Sequence, residues 1–213
     1  MTSLLEACGG TDFRIEAGKS LLRPLGEADL SERYVGWLND PETNRFSQRR
    51  GRTFTLTNVA AYVDAANASP DRLLLGVFVR GENAHIGNVQ LNYFDRENRL
   101  AEVSNLLGER ARWGGGFIVD ADKHLIHYGF QKLGVRKFVM GNLAPHRAST
   151  FKSTSLGAQL EGRMRGHERL GEDYVDVLRF GLFADEFYTR FPELVSTVCW
   201  RVGTAAAASE ATA

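Results

Sequence analysis

The chain is poor in cysteine, balanced in charge and without long apolar runs, and each of these narrows what it can be. Cys8 and Cys199 are its two cysteines, near opposite ends, and no CxxC spacing occurs. A disulfide framework or a thiolate metal cluster needs more than that, so a reduced, cytoplasmic protein is expected. Lys plus Arg and Asp plus Glu number 26 each, for a formal net charge of zero. Nonspecific nucleic-acid binding draws on a basic field, so no nucleic-acid partner is expected. No apolar segment approaches the roughly 20 residues of a membrane-crossing helix, so no membrane partner is expected either. The opening MTSLLEACGGTDF lacks a basic n-region followed by an apolar run, and so does not read as a secretory leader.

What is present reads as a globular chain of 213 residues, 43% apolar and 24% charged, enough to bury a core. Residues 1–11 are small and polar and are expected to be flexible; residues 12–201 read as a single domain; residues 202–213, ending GTAAAASEATA, read as a disordered tail. SLLRPLG reads as a strand closed by Pro24; Leu30, Tyr34, Trp37 and Leu38 then recur at helical spacing ahead of Pro41, and LTNVAAYVDAAN makes a second helix. RLLLGVFVR, HIGNVQLNYF and LAEVSNLLG then follow as three strands in a meander. GGFIVDADKHLIHYGFQKLG is the strongest helix, with Ile118, Ala121, Leu125, Tyr128 and Phe130 on its apolar side and Gly134 as its stop. VRKFVMGNL is a strand, PHRASTFKSTSLG a short helix, and two last strands meet in a hairpin at ERLG. The expected fold is mixed α/β, with about seven mostly antiparallel strands, about four helices and one βαβ crossover around the long helix.

The stretch RWGGGFIVD, residues 112–120, places Gly114, Gly115 and Gly116 directly ahead of that helix. Adjacent glycines cost backbone entropy on folding. They form either a loose left-handed turn or a place where bare backbone closes on a ligand. The first N–H groups of a helix lack internal partners and its dipole favours anions there, so a glycine-lined helix start suits a phosphate. The stretch has neither the Lys-Ser/Thr of a P-loop nor GxGxxG spacing, which argues against a nucleotide hydrolase.

AEVSNLLGERARWGGGF, followed by a helix, a strand and HRASTFKSTSLGAQLEG, resembles the GNAT superfamily of acetyl-CoA-dependent acetyltransferases. Ala101, Glu102, Val103, Gly108, Glu109, Trp113, Gly114, Gly116 and Phe117 fit the branch of ribosomal-protein N-terminal and amino-sugar N-acetyltransferases. WLNDPETNRFSQRR and HIGNVQLNYFDRENRLAE are similar to its sugar-modifying members. The resemblance implies a sheet splayed in a V with acetyl-CoA in the opening. It implies pantetheine contacts along Leu106, Leu107 and Gly108, and a diphosphate on the amides of Arg112, Trp113, Gly114, Gly115, Gly116, Phe117 and Ile118, near the cations Arg110 and Arg112. His146 and Ser153 occupy further coenzyme-contact positions, where the family has asparagine and often tyrosine. Ala111 replaces the family's glutamine or arginine, and Gly115 its cradle lysine.

Acetyl transfer to an amine needs a base for the ammonium proton, donors for an oxyanion and an acid for the leaving thiolate. Glu102, alternating with Ser104 and Leu106 on the central strand, is the candidate base, because apolar surroundings raise a carboxylate toward neutrality. The competing reading is an ion pair with Arg96 or Arg99. Ser149 and His146 are the candidate acids; Ser149 could instead bond its own helical backbone. Trp37, Asn39, Asn44, Arg45, Arg49 and Arg50 surround the break between the first two helices, a region that the resemblance implies walls the acceptor site, and with Asn105 they are the candidate acceptor contacts. Arginines there suit a phosphate-bearing acceptor, or are simply a solvated basic stretch. His124 and His127 sit at i, i+3 without further ligand spacing, so a solvated helix side and no metal are expected. The reading is acetyl transfer from acetyl-CoA to a primary amine of a small molecule, first of all a nucleotide-linked amino sugar. A protein N-terminal α-amine is the alternative acceptor, and a non-catalytic acyl-CoA-binding module the alternative of another class. A homodimer is left open.

Overall fold

A computed structural model describes residues 2–203. In chain order the elements are α1 (Leu4–Cys8), β1 (Phe13–Ala17), β2 (Ser20–Arg23), α2 (Glu32–Asn39), α3 (Leu56–Asn67), β3 (Arg72–Val79), β4 (Ala84–Asp95) and β5 (Leu100–Leu107). There follow α4 (Phe117–Gln131), β6 (Lys137–Leu143), α5 (Arg147–Ser155), β7 (Gln159–Leu170), β8 (Asp173–Phe183), α6 (Ala184–Arg190) and β9 (Trp200–Val202). One nine-stranded sheet runs β7-β8-β6-β5-β4-β3-β2-β1-β9. The meander β3–β4–β5 is antiparallel, as its alternation requires, and β5 and β6 are parallel across α4. Among the described residues no helix is long and apolar enough to cross a membrane.

The sheet separates two apolar layers. On one face α2 and α3 bury Tyr34, Val35, Leu38, Val59 and Val63 against Leu74 and Phe78. On the other, α4 buries Ala121, Leu125, Ile126 and Tyr128 against Phe13, Leu75, Leu91 and Ala101. Ile118 and Phe130 are half-buried against the same core. Gly134 follows the end of α4 with φ 69°, the left-handed conformation common after a helix, and the Val135 amide donates back to Gly129 O at 3.1 Å.

The sheet has nine strands and the described residues six helices, against the seven and four expected. The additions are β1, β9, α1 and α6. The N-terminal segment is not loose: Ser3 accepts the Glu6 amide at 3.2 Å, Glu6 accepts the Ser3 amide at 3.0 Å, and Leu4, Leu5 and Cys8 are buried. Ser-x-x-Glu is a capping box, so the signal lay in the sequence. The last hairpin turns where expected, at Gly171 of ERLG with φ 67°, while Glu168, Arg169 and Leu170 still pair as the end of β7. The remaining tail residues, 204–213, lie outside the described residues.

α6 and the segment after it also overturn the solvated placing of the α4 histidines. His127 is fully buried, with Nδ1 2.9 Å from Tyr188 Oη and Nε2 2.9 Å from Thr197 O. His124 is buried too, with Nδ1 2.8 Å from Asp120 O. Burial pushes both pKa values down.

The functional consequence of the topology is at β5 and β6. They pair at Leu100–Lys137, Ala101–Phe138 and Glu102–Val139, and then part. β5 stays with β4 as far as Leu107, and β6 stays with β8 as far as Leu143. Each strand follows its antiparallel partner, and a V opens between them.

Candidate active site

The crossover into α4 begins at the mouth of the V. Gly114 and Gly116 take φ of 74° and 84°, and Gly116 is the N-cap of a helix with no side-chain cap. A Cβ on either would meet nothing within 4 Å, so the space beside them is open. Among the described residues the amides of Gly114, Gly116, Phe117 and Ile118 donate to no protein acceptor. Those of Arg112, Trp113 and Gly115 donate to Glu109, Arg110 and Arg112 carbonyls. The expected cradle of seven amides is therefore four, because a tight turn at Arg110–Arg112 consumes the rest.

Two cations flank it unequally. Arg112 is tied to Glu82 at 2.8 Å, whereas Arg110 is exposed beside the Trp113 ring and makes only a longer contact of 3.9 Å to Asp40. A third, Lys19, was missed in the sequence. From the β1–β2 turn its Nζ donates to Gly115 O at 3.1 Å and its amide to Asp120 at 3.2 Å. It brings a charge to the place where residue 115 has no side chain, from 96 residues away in the chain. Beyond Glu102 the β6-facing edge of β5 has no strand partner, and Leu107 O accepts Trp113 Nε1–H at 2.9 Å. A glycine nest of outward amides continuing into an unpaired strand edge fits a diphosphate followed by an extended amide-bearing arm.

Several expected contacts serve the scaffold instead. Ser153 is 1% exposed, accepts Asn142 Nδ2–H at 2.8 Å and donates to Ser149 O at 3.1 Å, so its hydroxyl is engaged within the fold. Trp37 is buried: its ring fills the space where a Cβ on Gly108 would fall, 2.0 Å away. Asn44 is buried and caps the end of α2, donating to Trp37 O and Leu38 O at 2.8 Å. Asn39 exchanges hydrogen bonds with the Phe54 backbone at 2.9 and 2.8 Å. Asn105 lies on the α4 face, opposite Glu102, as strand alternation requires of an odd position. Its Nδ2 donates to Asp122 at 2.8 and 3.1 Å. Asp122, 2% exposed, also accepts Lys152 Nζ at 2.5 Å, which straps α5 to α4.

Glu102 stands at the last paired position of β5, on the face of α2 and α3. It forms no ion pair among the described residues; Arg96 is held by Asp71 instead, at 2.5 Å. Burial pushes its pKa up, and the positive charge of Arg179 on β8 opposes that rise. Ser149 Oγ donates to Asn142 Oδ1 at 2.6 Å. His146, the N-cap of α5, stacks on Phe46 with ring centroids 4.4 Å apart, and burial pushes its pKa down. Phe46 belongs to the segment between α2 and α3. That segment also reaches the β7–β8 hairpin, where Gln48 donates to Glu168 at 3.1 Å and Arg50 to Arg169 O. It therefore bridges the α2–α3 side of the sheet to the β7–β8 hairpin. Arg49 lies 4.7 Å over the Tyr62 ring, and Tyr62 donates to Gln90, the cross-strand partner of Ser104. Arg45 lies over Phe46.

Comparison with known proteins agrees with this geometry. Residues 19–159 match the acetyltransferase (GNAT) domain family. The chain is 30% identical over 170 residues to an uncharacterized N-acetyltransferase p20 of Bacillus licheniformis, covering 76% of this chain and 90% of that protein. A GNAT family acetyltransferase of Bacillus anthracis has the same fold, with TM-score 0.71 at 16% identity over 81% of this chain and 99% of that one. The spermidine N-acetyltransferase of Vibrio cholerae, solved with CoA and spermine, matches with TM-score 0.71 at 16% identity over 79% and 98%. The chain belongs to the GNAT family: it is an acyltransferase whose cosubstrate is acetyl-CoA.

Proposed function

We propose that the protein transfers acetyl from acetyl-CoA to the primary amine of a small molecule, with Glu102 as the base. The observation that carries this is the Glu102 carboxylate: half-buried, raised in pKa and without an ion-pair partner among the described residues, where β5 and β6 part. Acetyl-CoA supplies an activated acyl thioester. The amides of Gly114, Gly116, Phe117 and Ile118, with Arg110 and Lys19, hold its diphosphate, and the β5 edge at Leu106 and Leu107 aligns its amide arm. Glu102 takes the proton from the acceptor's ammonium, directly or through water. Ser149 is the acid candidate, and its hydroxyl must turn away from Asn142 to serve. His146, kept neutral by burial and stacked on Phe46, shapes the end of the chamber.

In this reading the segment between α2 and α3 roofs the acceptor side, which suits a small molecule better than a polypeptide end. Arg45 and Arg49, exposed on that roof, favour a phosphate-bearing amino sugar as the first acceptor to try. The test is thiol release over a panel of amino sugars, amino acids and peptides, after thermal stabilisation by acetyl-CoA has established binding. Glu102→Gln should lower kcat by about 100-fold or more, the usual worth of a positioned base, with coenzyme affinity unchanged. An unaltered kcat removes Glu102 from the role.

A further inference from the structure

We propose that Arg179 is an anion receptor beside the base, so that the acceptor is a primary amine whose own skeleton carries a carboxylate or a phosphate. This rests on the acetyl-transfer reading above and adds the chemistry of the acceptor. Arg179 on β8 pairs with Gly141 on β6, and Gly141 lies two residues beyond Val139, the parallel partner of Glu102. Strand alternation therefore puts Glu102, Val139, Gly141 and Arg179 on one face, that of α2 and α3. Phe138, Met140 and Phe180, at the intervening positions, belong to the opposite core.

The guanidinium has crossed from its own strand onto β6. A Cβ on Gly141 would lie 2.8 Å from Arg179 Nη1, so the glycine makes the room that the side chain occupies. A glycine in a strand interior marks such close approaches. The neighbouring cation of β6, Lys137, is neutralised by Glu161 at 2.6 and 2.8 Å. Arg179 is half-buried and makes no hydrogen bond or ion pair among the described residues. A guanidinium offers five donors in a planar fork and stays charged, so partial burial without a partner leaves a cost that a bidentate carboxylate or phosphate removes. Its charge also holds Glu102 below the pKa that burial alone would set. An acceptor anion on Arg179 offsets that charge and makes the base stronger as the acceptor arrives. A polyamine brings cations alone to this face, and so should be a poor acceptor.

The test uses matched amines, glucosamine 6-phosphate against glucosamine and L-alanine against L-alaninamide, with wild type, Arg179→Met and Arg179→Lys. Wild type should favour the anionic member of at least one pair tenfold or more in kcat/KM, chiefly through KM, and the pair that responds distinguishes phosphate from carboxylate. Arg179→Met should collapse that ratio toward one and Arg179→Lys should recover part of it. Equal wild-type efficiencies within both pairs, or a ratio that survives in Arg179→Met, overturn the proposal. Calorimetric binding of the same amines to the CoA-loaded protein separates the two readings. Anion binding that needs Arg179 without turnover upholds the receptor and removes acetyl transfer. Anion binding indifferent to Arg179, or absent, overturns the receptor.

Discussion

Lys152→Met should be among the most destabilising single changes near the cleft, for a reason that can be worked through. Asp122 is 2% exposed and its carboxylate holds the Lys152 ammonium at 2.5 Å and the Asn105 amide at 2.8 and 3.1 Å. Methionine keeps the aliphatic stem and removes the charge, leaving a buried carboxylate with one amide for company. Removing one member of a buried pair costs about 3–5 kcal/mol. The Lys152 side chain is 16% exposed, so water reaches the site and the low end, about 3 kcal/mol, applies. At roughly 2–4 °C per kcal/mol for a chain of this size, Tm should fall by about 6–12 °C. Asp122→Asn alone should cost less, because the freed ammonium can turn toward solvent on its flexible stem. Adding Asp122→Asn to Lys152→Met removes the stranded charge and should return half or more of the loss. Thermal melts followed by circular dichroism, closed as a double-mutant cycle, give the coupling directly. A single-mutant drop under about 2 °C, against the 6–12 °C reasoned from buried-pair costs, refutes the argument, as does a double variant weaker than Lys152→Met.

The pH profile tests the same base from another side. Since burial raises the Glu102 pKa above the ordinary 4.5, the acid limb of kcat/KM should lie above the usual carboxylate range; a limb at 4.5 or below contradicts it. The stability sign is fixed as well: a raised folded pKa favours the folded state at low pH, and that advantage is lost as pH rises from 4.5 through the folded value. Urea midpoints of wild type relative to Glu102→Gln should therefore decline over that interval. Gly116→Ala meets no steric obstacle but forces φ 84° on an L residue, a strain of about 1–2 kcal/mol. If the cradle shifts to relieve it, acetyl-CoA affinity by calorimetry should weaken by roughly 5–30-fold; an unchanged Kd would mean that the helix start does not grip the coenzyme.

What the sequence determined by itself was what contiguous residues encode. The 3.6-residue period of α4, the alternation of the meander, the glycines at the helix start and the parity that sets Glu102 apart from Ala101 and Val103 are all local, and the structure keeps them. The capping box at Ser3 and the alternation of Phe13, Ile15 and Ala17 were local too, and legible though unread. The tertiary structure decided everything that depends on which strand stops pairing where. The V exists because β5 and β6 part after Glu102 and Val139. Lys19 reaches Gly115, and Arg179 crosses over Gly141, from elements distant in the chain. His127 went inside because α6 and the chain beyond it cover α4, and Asn105 turned to Asp122 because α4 carries a buried carboxylate there. Periodicity tells a side chain which face of its own element it occupies. Only packing tells it what lies on that face, and the partner decides between scaffold and chemistry.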